Sequence, residues 1–210
     1  MRAARKMIPA ALVCVLMVAG ACGEEADVDE EYRPAGSRAL IPDDLLEQLE
    51  DAGAVVYLGD QQPSIAGTYL FNDYEVVFTD SDTWPATTNW CHDLITYTAG
   101  DDPETYVSAS TSPNCDSSSA GQMSYISGAD GCFTLYSETT FEFEGCTGAA
   151  VGVFSACVAN NGDFEDPLFA DIVTLREGES CAGLASEGRI LGEGEIGIVR
   201  QADRVAEKVE

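Results

Sequence analysis

The chain has 210 residues, enough for one domain with a tail, and its 37 acidic against 10 basic residues give a formal net charge of −27. No Lys or Arg occurs between Arg38 and Arg176. Nucleic acid is thereby excluded as a partner, because neutralising phosphates needs Lys and Arg, and so is electrostatic adhesion to anionic lipid headgroups.

Arg2, Arg5 and Lys6 open the chain, and an apolar run follows over residues 7–19. That run is shorter than the roughly 20 apolar residues a bilayer span needs, and it has the flanks of an export signal. Ala19, Gly20 and Ala21 lead into Cys22. The Ala19-x-Ala21 pattern suits an ordinary secretory peptidase, while small residues directly before a cysteine resemble a bacterial lipobox. Both readings cut the same bond, so the cysteine count has to separate them. Of eight cysteines, Cys14 leaves with the signal. With lipid on Cys22, six remain (Cys91, Cys115, Cys132, Cys146, Cys157 and Cys181) and can pair evenly as three disulfides. With Cys22 free, one thiol is stranded in an oxidising compartment. The lipidated reading leaves nothing over. The resemblance to bacterial lipoprotein precursors covers residues 1–23 and implies an exported protein held at the cell envelope by acyl chains, its domain in the periplasm or at the cell surface. Gly23, rather than an aspartate, after Cys22 resembles lipoproteins sent on to an outer membrane.

The expected division is a signal peptide over 1–21, a lipidated cysteine and acidic tether over 22–40, one β-rich domain over 41–200 and a tail over 201–210. In the tether, Glu24, Glu25, Asp27, Asp29, Glu30 and Glu31 repel one another and Pro34 and Gly36 follow, which predicts extended, solvated chain as far as Arg38. Residues 42–53 form the one strong helix pattern, with Pro42, Asp43 and Asp44 at the start, Gly53 past the end, and an apolar stripe of Leu45, Leu46, Leu49 and Ala52. The stripe is expected to pack on the sheet.

From Ala54 the hydrophobic period becomes two, and turn residues recur every eight to twelve positions or so. Strands are expected at 54–58, 68–79, 94–98, 105–110, 122–126, 132–136, 139–144, 151–159, 168–175, 189–191 and 195–200. Residues 201–210 suggest a frayed end or a short helix. The fold class is all-β: an antiparallel sandwich or a small barrel with one short N-terminal helix, stapled by disulfides. The stretch 129–158 is its centre. There Phe133, Leu135, Phe141 and Phe143 share one parity and should face a core, while Thr134, Tyr136, Glu142 and Glu144 share the other and should mostly face water. A hairpin centred near Thr139 would place Cys132 opposite Cys146. Spacing alone leaves about 15 arrangements of six cysteines, and the simplest set adds Cys91–Cys115 and Cys157–Cys181. Gly67-Thr68-Tyr69, at the head of a long strand, distantly resembles the G-x-W entry of lipocalins, with tyrosine in place of tryptophan.

Catalytic patterns are sparse. His92 is the only histidine, so no site needing two imidazoles exists, which removes most zinc enzymes. No G-x-S-x-G supports a Ser–His–Asp triad, and Cys91–His92 is a poor thiol pair because adjacent strand residues face apart. Two carboxylates would serve a glycosidase, but with 37 acids some pair is always close. Trp84, Trp90, Tyr97 and Tyr106 could stack on sugar, although such residues are more often core or edge aromatics. Calcium is the better-motivated ion: Asp163, Glu165 and Asp166 on one acidic loop, and Asp80-Ser81-Asp82 on another, offer oxygen ligands. No other cofactor is implied. The expected function is a non-catalytic interaction or ligand-binding domain for a protein or small molecule, with a carboxylate-dependent, glycosidase-like hydrolase as the alternative. The crowd of acids without cations also predicts carboxyl pKa values raised by like-charge repulsion.

Overall fold

A computed structural model describes residues 32–83, 92–113, 117–187 and 191–209. Ten strands follow one another along the chain: β1 (Gly67–Phe71), β2 (Tyr74–Thr79), β3 (Asp93–Ala99), β4 (Thr105–Ser112), β5 (Ser117–Ala129), β6 (Cys132–Phe143), β7 (Cys146–Val158), β8 (Phe164–Glu177), β9 (Ile196–Gln201) and β10 (Val205–Val209). The helices are α1 (Ala35–Leu40), α2 (Asp43–Asp51) and α3 (Cys181–Ser186). All strand pairs within the sheet are antiparallel, in the order β10-β1-β3-β4-β5-β6-β7-β8, and β10 also pairs with β8. The ring therefore closes. Of the two expected architectures it is the barrel, with eight strands running up and down, and closure leaves those eight no free edge.

The expected strand at 68–79 is broken at Asn72 and Asp73, where Asp73 has φ 47°. Its first half, β1, completes the ring against β10. Its second half, β2, pairs only with β9, which in turn continues from the outer edge of β8. The ladder β2–β9 thus peels away from the barrel wall. Residues 205–209, expected as tail or helix, form the closing strand β10.

Two turns set the register of the central meander. Asp130-Gly131 (φ 55° and 81°) and Glu144-Gly145 (φ 48° and 80°) each have both central residues left-handed. This is the two-residue type I′ hairpin, whose second place suits glycine. β6 consequently runs without interruption through Thr139, and the hairpin expected there does not exist. Because β6 turns at Glu144, Cys132 faces Cys157 rather than Cys146. Among the described residues the disulfides are Cys132–Cys157 and Cys146–Cys181, correcting both the Cys132–Cys146 and the Cys157–Cys181 pairings. The Cys91–Cys115 pairing lies outside the described residues.

The outer face of β6–β9 is covered, which the alternating pattern did not foretell. Leu46 and Leu49 of α2 are buried with Ile41 against Tyr136, Val151, Ile172 and Ile198. Thr134 and Tyr136, expected to face water, are 0% exposed. Nor are residues 32–40 all tether. Arg33 is buried, its guanidinium 4.7 Å from the Tyr136 ring centroid, donating to the Ser37 and Ile41 carbonyls and paired with Asp43. The expected strand at 54–58 is a strap across this face, joining no ladder. Its backbone bonds to side chains of the wall: Tyr57 N–H donates to Thr134 Oγ1, Ser127 Oγ donates to the Tyr57 carbonyl, and Ser155 Oγ donates to the Val55 carbonyl. Those three buried hydroxyls are thereby satisfied, as burial demands.

Candidate functional site

Inside the ring the same strands present two different surfaces. Toward one end the interior is packed with rings: Tyr69, Phe71, Tyr97, Phe133, Phe154 and Phe164 are all at most 5% exposed. Tyr69 stacks on Phe164 at 3.7 Å between centroids, and Phe154 stacks on Phe169 at 4.4 Å. Toward the other end the inward positions become small and polar within one or two residues. Tyr106 gives way to Ser108 and Ser110 on β4, and Ile126 to Ser124 and Gln122 on β5. Leu135 gives way to Ser137 and Thr139 on β6, and Phe154 to Gly152 on β7. Since the backbones keep their spacing, the smaller side chains leave a cavity of about 150 Å³. Its floor is the ring row Tyr97–Phe154–Phe169, and its walls are hydroxyls and the Gln122 amide.

Among the described residues one carboxyl reaches this cavity, that of Asp171 on β8. Its strand neighbours on either side are Gly152 of β7 and Gly197 of β9. A Cβ on Gly152 would lie 2.0 Å from an Asp171 carboxylate oxygen, so the missing side chain is what lets the carboxyl lie over β7. Among the described residues no hydrogen bond or ion pair offsets its burial, and desolvation pushes its pKa up to about 7. A second carboxyl, Asp93, sits two residues before Ile95 on the same face of β3 but does not line the cavity. Burial raises its pKa as well, countered by hydrogen bonds donated by Ser112 and Tyr74 and by the nearby His92. Desolvation is the leading cause at both carboxyls, where the sequence suggested like-charge repulsion.

Of the residues singled out from sequence, Tyr97 lies in the floor of this cavity and the other described ones fall elsewhere. Asp163 accepts from Asn161 Nδ2 at 2.6 Å and from the Lys208 N–H at 2.8 Å, Asp166 pairs with Arg204, and Glu165 lies in the β8–β10 ladder. Asp80 accepts from the Ile196 N–H. Among the described residues no three His, Cys, Asp or Glu side chains gather as a metal-binding group, so the structure does not bring the three acids together. Tyr97 and Tyr106 are buried inside the barrel rather than displayed for sugar. His92 is exposed at the start of β3, while Cys22, Trp84 and Trp90 lie outside the described residues. Asp171 was missed by sequence reasoning. The available signal was an acid at an inward place in the apolar run Leu168-Phe169-Ala170-Asp171-Ile172-Val173.

No family model, curated protein or solved structure matches the chain.

Proposed function

We propose that this is the non-catalytic binding domain of a lipid-anchored envelope protein, and that the open end of the barrel interior is its ligand site. The observation that carries the reading is the abrupt change from packed rings to a polar cavity on one continuous inward face. Filling that half with apolar side chains would have extended the core, since each buried CH₂ stabilises by about 0.8 kcal/mol. Small-molecule sites set a few convergent polar groups against aromatic and apolar walls, and this cavity does so on a smaller scale with a larger polar share. The volume, 150 Å³, equals about five waters at about 30 Å³ each, so the ligand is small.

The hydrolase alternative needs a second carboxyl facing the same space. Asp171 is the one carboxyl among the described lining residues, and Asp93 is held by Ser112 and Tyr74. Two measurements test the proposal. Native mass spectrometry of the protein drawn gently from its own envelope should show a co-purifying small molecule, lost when Ser137→Phe fills the cavity. Turnover of chromogenic glycosides that disappears in Asp171→Asn would replace this reading with the hydrolase. The anchor is tested separately by the mass of the N-terminal peptide, where an unmodified Cys22 removes the lipid from the proposal.

A further inference from the structure

We propose that the cavity takes a small quaternary or alkyl ammonium ion, with Asp171 as its counter-charge and the rings of Tyr97, Phe154 and Phe169 as the surface its methyl groups lie against. The inference rests on the binding-domain reading and names the chemistry of its ligand.

Three observations point the same way. First, Asp171 is a partly buried, desolvated acid with no cation paired to it among the described residues. Of the described residues lining the cavity from β3 to β8, only Tyr97 and Asp171 titrate, and the flanking positions on β7 and β9 are glycines. Asp93 beyond Ile95, with its donors Ser112 and Tyr74, adds negative rather than positive charge. An isolated buried carboxylate is costly, and a cationic guest relieves that cost whereas an anionic one deepens it. Second, three of the residues lining the cavity are aromatic, Tyr97, Phe154 and Phe169, set beside the aliphatic Ile95, Leu135 and Val153. Tyr97 and Phe154 lie within 5° of parallel with centroids 6.1 Å apart, and Phe154 and Phe169 are stacked at 4.4 Å. Ring faces attract cations, most strongly when water is excluded, and methylated ammonium is the guest such surfaces favour. Third, the molecule's charge of −27 gathers cations around it and raises their local concentration at the mouth. A neutral hydrogen-bonding guest would satisfy the hydroxyl walls but leave the carboxylate and the ring faces unexplained.

The probes are tetramethylammonium and tert-butanol, each with five heavy atoms, one charged and one neutral. They are titrated into the full chain with its disulfides intact, in sodium chloride that holds ionic strength constant, and followed by the amide shifts of Gly152 and Asp171. At pH 8 tetramethylammonium should bind at least about ten-fold more tightly than tert-butanol, the order set by 1.4 kcal/mol of cation–π and charge attraction. Asp171→Asn should abolish the difference. In the unaltered protein, affinity for tetramethylammonium should fall about ten-fold for each pH unit below about 7, as the carboxyl takes up its proton and loses its charge. The pH series needs no variant, so a misfolded Asp171→Asn would not spare the proposal. Equal binding of the two probes, or ammonium binding indifferent to pH, overturns the cation and leaves the binding site standing. Binding of neither probe overturns both.

Discussion

The two halves of the barrel interior are built on the same strands, with the same inward parity, and differ only in what stands at those positions. In one half Phe154 touches the rings of Phe71, Tyr97, Phe133, Phe164 and Phe169. In the other, the next inward residue along β7 is Gly152, beneath a lone carboxyl. A barrel of eight strands is just wide enough for its own side chains to fill. Making one half hollow therefore requires shortening the side chains on several strands at one level, and that is what β4, β5, β6 and β7 show together. The packed half holds the tube together, and the hollow half carries the ligand site proposed above.

Truncation should damage the packed half far more than the hollow one. Phe154→Ala should destabilise by about 3–5 kcal/mol, the range for removing a buried aromatic and leaving its void, while Ser137→Ala in the hollow half should change stability by less than about 0.5 kcal/mol. Urea unfolding followed by tyrosine fluorescence measures both. Equal losses would mean that the hollow half is as tightly packed as the other. A second test concerns the disulfide Cys132–Cys157 on the outer wall, with a sequence separation of 25. Loop-closure entropy for that length predicts about 3–4 kcal/mol lost in the paired change Cys132→Ser and Cys157→Ser, read as a lowered denaturant midpoint.

The fold class was legible because period two and turn residues survive in any antiparallel sheet. The choice of barrel over sandwich was not, since it depends on β10 meeting both β1 and β8, contacts between residues far apart in sequence. The Cys132–Cys146 expectation failed on one turn. The expected hairpin is centred near Thr139, but Glu144-Gly145 supplies the left-handed pair that a two-residue loop requires, and the glycine there is the better cue. Thr134 and Tyr136 read as exposed because alternation reports the wall alone and not what lies over it. The site itself was nearly silent. Serines at alternate places look like a solvated face, and only closure shows that this face points inward.

A third test sharpens the comparison through protons. Asp171 has its folded pKa raised to about 7, above the ordinary carboxyl value of about 4. Between those two values the folded protein keeps a proton that the unfolded chain has released. Stability should therefore fall as pH rises through that window, by about 1.4 kcal/mol per pH unit at most, and Asp171→Asn should flatten the slope. Thermal unfolding from pH 4 to pH 8 measures it, and an unchanged slope in the variant would place the titrating group elsewhere. The smallest expected effect lies outside both halves. Arg204→Ala removes an ion pair with Asp166 whose side chains are 54% and 64% exposed. It should cost less than about 1 kcal/mol, fading further with salt.

The closing strand has a consequence for the order of assembly. β5, β6 and β7 are joined by two-residue turns and can pair as soon as they exist, whereas Thr68 must wait for Val209 and Phe164 for Ala206. Topologies dominated by such distant pairings form slowly, because the chain loses loop entropy before the contacts return it. Without Val205–Val209 the ring would stay open between β1 and the start of β8. In that open ring there is no enclosed space. The ligand proposed for the cavity would bind only the finished ring, and would then hold β10 in place by mass action.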